Sequence, residues 1–71
     1  MEARLINHLK VARAEAGLSQ SELAALAGVT RQTISSIETG QYCPSTLLAF
    51  VIAERLGKHI DEVFALEGDR S

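Results

Sequence analysis

One cysteine, Cys43, stands in the 71-residue chain, so no intrachain disulfide is possible. Tryptophan is absent, aromatic residues make up 4%, and Pro44 is the one proline. So few aromatics argue against an all-β domain, whose strands draw on aromatic and β-branched residues. The longest apolar run, Leu47–Ala53, is too short to span a bilayer. The N-terminal stretch has a polar residue every few positions, unlike a signal peptide, and a soluble cytoplasmic protein is expected. Positive charge is not in excess either: 7 Lys and Arg stand against 9 Asp and Glu. Any nucleic-acid partner must then be held by local chemistry rather than bulk attraction.

No catalytic or metal-binding constellation is present. His8 and His59 lie far apart in sequence and have no local partners. Cys43 has no base beside it, while Glu22, Glu38, Glu54, Asp61 and Glu62 each suit a helix end or a solvated face. The expectation is no enzyme, no metal and no cofactor.

What is present is helical grammar. Hydrophobic residues are 46% of the chain, and most fall at helical spacing. Leu5, Leu9, Ala12 and Ala16 make one stripe, which predicts a first helix over Met1–Ala16, closed by Gly17. Ser19 and Glu22 form a capping box, with Leu18 and Leu23 as its hydrophobic staple. A second helix follows to about Ala27, with Leu23, Leu26 and Ala27 inward, and Gly28 ends it. Thr30 then caps a third helix to about Thr39, with Val29 and Ile34 as staple and Ile34 and Ile37 inward. Arg31, Gln32, Ser35, Ser36 and Thr39 share its other face. So short a link forces the second and third helices to cross steeply. Ser45 caps a fourth helix, Thr46–Leu56, which has more apolar residues than one core face needs. Ile60, Val63, Phe64 and Leu66 mark a short fifth helix, its start poorly capped by His59. No strand is predicted. One domain is expected over 1–67, with a polar tail at 68–71.

The ordered set GLSQSELA, GVTRQTISSIE, PS, IAERLG and IDEVF resembles the Xre family of phage Cro and repressor-type helix-turn-helix regulators, over nearly the whole chain. The resemblance implies an all-α, compact five-helix, lambda-repressor-like domain with its helix-turn-helix at helices 2 and 3. The third helix is then the recognition helix, with Arg31, Gln32, Ser35 and Ser36 toward base edges. Their chemistry suits base reading, because Arg donates a bidentate pair to guanine and Gln matches the adenine edge. Gln20 matches the phosphate-binding glutamine that opens helix 2. Thr30, Thr33, Thr39, Gln41 and Tyr42 are further phosphate candidates. Arg13 and Glu38 match a structural salt bridge between helix 1 and the end of helix 3. Many relatives carry Lys or Arg where Gln41 stands, which implies few phosphate cations here.

The expected function is a sequence-specific regulator of transcription on double-stranded DNA. A homodimer reading an inverted repeat is expected, and repression is favoured over activation. The surplus apolar residues Leu47, Val51, Val63 and Leu66 are its expected dimer surface. No small-molecule effector domain is expected, so a partner protein remains a route to control. The rival reading is a helical interaction module, such as an antitoxin or controller-type partner, with weak or no DNA binding.

Overall fold

The structure is a computed structural model and describes residues 4–67. The chain runs β1 (Arg4–Asn7), α1 (Leu9–Glu15), α2 (Gln20–Ala27), α3 (Arg31–Glu38), α4 (Thr46–Arg55), α5 (Ile60–Val63) and β2 (Phe64–Glu67). The five expected helices are all present. Their caps follow the chemistry of the side chains. Ser19 Oγ accepts the Glu22 amide at 3.0 Å, while the Ser19 amide donates to Glu22 Oε1 at 2.8 Å. Thr30 and Ser45 cap α3 and α4 by accepting the Thr33 and Leu48 amides. At α5 the His59 side chain makes no cap bond, and the Glu62 carboxylate accepts the His59 amide instead.

Two expectations at the chain ends are corrected. The first helix does not extend back through Arg4–Asn7, and Leu66 is not helical. These segments pair as an antiparallel ribbon, with Leu5 opposite Leu66 and Asn7 opposite Phe64. The stripe from Leu5 to Ala16 is thereby cut: Leu9 and Ala12 are buried, whereas Leu5 and Ala16 are exposed. The fold is mostly helical rather than all-α. Met1–Ala3 of the expected first helix, and the expected tail at 68–71, lie outside the described residues.

The core lies where the five helices meet. Leu9, Leu23, Ile34, Ile37, Ile52 and Val63 are its largest fully buried side chains. Each such burial stabilises by roughly 1.5–3 kcal/mol. Val63 is 0% exposed and is therefore removed from the expected dimer surface. Its carbonyl also accepts the His8 amide at 2.7 Å, fastening the root of the ribbon to the bundle. Leu26 is 48% exposed rather than inward. The core face of α2 is centred on Leu23 and Ala24, which turns Leu26 outward. Phe50, at the middle of α4, is 54% exposed for the same reason: Ala49, Ile52 and Ala53 occupy that helix's inner face.

The turn between α2 and α3 needs one left-handed residue. Gly28 supplies it, at φ +76°. Its amide and that of Val29 return to carbonyls of α2, so α3 starts after a three-residue link and packs against α2.

Candidate nucleic-acid interface

Ile34 and Ile37 bury the inner side of α3, at 0% and 1% exposure. This fixes its outer side. Arg31 and Gln32 stand exposed at the start of the helix, with Ser35 and Ser36 half-buried one turn on. No carboxylate of α3 shares that face. The one acidic residue of the helix, Glu38, is turned inward. Thr30 and Thr33 flank the helix start, with their hydroxyls 3.0 Å apart. Thr30 Oγ1 also accepts the Thr33 amide and so caps the helix. The start of α3 also carries the positive end of the helix dipole, a setting that favours an anion.

The loop after α3 folds back onto it. The Ser36 carbonyl accepts the Gln41 amide at 2.9 Å, the Tyr42 amide at 3.2 Å and the Thr39 hydroxyl at 3.2 Å. This fold-back sets Tyr42 beside α3. An open groove of about 430 Å³ results, lined by Val29, Thr30, Gln32, Thr33, Ser36, Tyr42 and Leu48. The structure thus gathers Thr30, Gln32, Thr33, Ser36 and Tyr42 into one concavity. Arg31, Ser35, Thr39 and Gln41 do not line it. Val29 and Leu48 were not expected as walls, although Val29 was legible as a staple residue and Leu48 as part of an apolar surplus.

Three helices meet behind this face. Arg13 of α1 donates to Glu38 of α3 through Nε at 2.7 Å, and through Nη1 to the Leu18 carbonyl at 2.9 Å. Gln20, the first residue of α2, donates Nε2 to Glu38 Oε1 at 3.0 Å. The Arg13 and Glu38 side chains are 15% and 5% exposed. The network ties the end of α3 to α1 and to the start of α2. It also changes the picture of Gln20, because one N–H of its side-chain amide is engaged by Glu38 within the protein.

The same network sets the acidity of Glu38. Burial alone raises its pKa. The hydrogen bonds from Arg13 and Gln20, with the charges of Arg13 and Lys10, outweigh burial and hold it below the ordinary value of 4.5. A lowered folded-state pKa stabilises the fold above the unfolded value. That contribution is lost as pH falls below 4.5 and through the lowered value. Thermal melting followed from pH 7 downward is expected to show this loss in the native protein. In Glu38→Gln the acid limb should flatten, because the titrating group is gone.

A short left-handed turn between two capped helices, with a polar and acid-free outer face on the second, defines a DNA-binding helix-turn-helix domain. The family profile described as helix-turn-helix matches residues 9–63. An uncharacterised HTH-type transcriptional regulator of Methanothermobacter thermautotrophicus is 53% identical over 58 residues, covering 80% of this chain and 84% of its own. Another from Methanocaldococcus jannaschii, MJ0272, is 49% identical over 63 residues, covering 89% and 96%. Among solved structures, the restriction-modification controller protein C.AhdI of Aeromonas hydrophila superposes with a TM-score of 0.73 at 33% identity, over 76% of this chain and 78% of that one. The chain belongs to the Xre-type helix-turn-helix family. No helix among the described residues is long and apolar enough to cross a membrane.

Proposed function

We propose that this chain is a sequence-specific repressor that reads an inverted-repeat operator through the major groove as a homodimer. It is a DNA-binding transcription regulator and not an enzyme. The observation that carries the reading is the outer face of α3, which combines exposed Arg31 and Gln32 with Ser35 and Ser36 and has no outward acid. Arg31 suits guanine O6 and N7, and Gln32 suits adenine N6 and N7. Thr30, Thr33, Thr39, Gln41, Tyr42 and the backbone amide of Gln20 are the groups offered to the flanking phosphates. Repression then follows from occupying the operator, with Leu47, Val51 and Leu66 available for self-association.

In vitro selection of bound duplexes supplies the operator, its half-site spacing and its symmetry in one experiment. Against the selected duplex, Arg31→Ala and Gln32→Ala should each lose about 1–3 kcal/mol of affinity and relax preference at one base position. Unchanged affinity and preference in both variants refute this reading surface. No selected sequence at all favours the interaction module.

The salt dependence should be shallow. Counterion release gives a slope of log K against log salt near −0.9 for each phosphate neutralised. The reading helix carries one cation, Arg31, within a chain of net charge −2. A slope shallower than about −3 per half-site is expected from titrations at several salt concentrations. A slope as steep as that of a strongly basic repressor contradicts the expectation.

A further inference from the structure

The outward side of α4 is apolar and centred on the helix midpoint. Leu47 is 75% exposed and Phe50 54%, with Val51 half-buried beside them and Glu54 exposed one turn beyond. These positions, i, i+3, i+4 and i+7, form one stripe opposite the buried Ala49, Ile52 and Ala53. The helix spans Thr46–Arg55, so its midpoint falls between Phe50 and Val51. A stripe centred in this way is matched by its own copy when two such helices run antiparallel about a two-fold axis.

Charge agrees with that register. The first turn of α4 contains no acidic residue, so nothing within the helix offsets the positive end of its dipole. Glu54 lies at the other end of the stripe. One of its oxygens accepts Arg55 Nη1 at 2.8 Å, and the other has no partner among the described residues. In the antiparallel register Leu47 faces Glu54 of the second copy, and Phe50 faces Val51 of the second copy. Each Glu54 carboxylate then meets the other copy's α4 N-terminus, which Ser45 caps but no acidic residue offsets. The ribbon offers no such match: its exposed Leu5–Leu66 pair ends in Arg4 and Glu67, which already bind each other at 3.2 Å.

We propose that two copies of this chain associate through an isologous antiparallel α4–α4 contact, with Phe50 and Val51 at the two-fold axis and Glu54 on the partner's α4 N-terminus. This rests on the DNA reading only for its purpose. Leu48, adjacent to Leu47, lines the groove beside α3, so the contact also fixes where the two reading helices stand.

The test is sedimentation equilibrium without DNA, on the full chain, with circular dichroism confirming the fold of each variant. Leu47→Glu sets like charges opposite Glu54 and should weaken dimerisation at least about tenfold. Leu47→Lys, which faces Glu54 with the opposite charge, should weaken it far less. The double variant Leu47→Glu/Glu54→Lys should recover most of the loss. Equal effects of Glu and Lys at Leu47, or no recovery in the double variant, overturn the register. A native chain that stays monomeric at high micromolar concentration overturns the contact. A single half-site duplex probed with Arg31→Ala and Gln32→Ala tests the DNA reading separately, so failure of one proposal is distinguishable from failure of the other.

Discussion

Glu38→Ala is expected to lower the unfolding free energy by about 3 kcal/mol, read from urea denaturation at pH 7. The cost does not come mainly from a lost attraction. It comes from the groups left behind: the Arg13 guanidinium, 15% exposed, and the Gln20 amide that shared the carboxylate. A buried cation without its anion typically costs about 3–5 kcal/mol. The lower end applies here because Arg13 keeps the Leu18 carbonyl at 2.9 Å and some access to water. For a chain of this length the whole stability is on the order of 4–10 kcal/mol, so one side chain controls a large share of it. Removing both charges tests this account. Arg13→Met/Glu38→Leu should recover most of the loss, because no uncompensated ion remains. If the double variant is as unstable as Glu38→Ala, the stranded-charge explanation is wrong.

That network shows what local sequence reveals and what it hides. The Arg13–Glu38 pair was legible only through resemblance, since nothing in the residues near either one points to the other. Gln20 was read as facing a phosphate, and its side-chain amide also donates to Glu38, because the start of α2 and the end of α3 lie together where these two helices pack. The caps at Ser19, Thr30 and Ser45 were legible because each is a bond across three residues. The ribbon was not: Arg4 pairs with Glu67, and no local pattern encodes a partner so distant in the chain. The i, i+4 spacing of Leu5 and Leu9 then looked helical. Val63 was read as surplus because α5 has one turn, too short for periodicity to fix which side is inward. The outer face of α3 was fully legible, since Ile34 and Ile37 alone determine which way the helix must turn.

Ile34 carries the second large effect, and it separates folding from reading. It is 0% exposed, one residue after Thr33 in the groove and on the side of α3 opposite Gln32. Ile34→Ala should cost about 2–5 kcal/mol through lost transfer energy and a residual cavity. Ile34→Val should cost about 0.5–1.5 kcal/mol. Neither change touches the outer face, so folded molecules keep the same base contacts. Operator binds the folded state alone and should therefore raise the melting temperature of Ile34→Ala in proportion to the logarithm of its concentration. At saturating duplex the base preferences of Ile34→Ala should match those of the native chain. Gln32→Ala should behave in the opposite way: unchanged melting without DNA, weaker binding with it, and relaxed preference at its base pair. Thermal melts with and without the selected duplex check both. If Ile34→Ala alters base preference while still folded, the division of α3 into a packing side and a reading side fails.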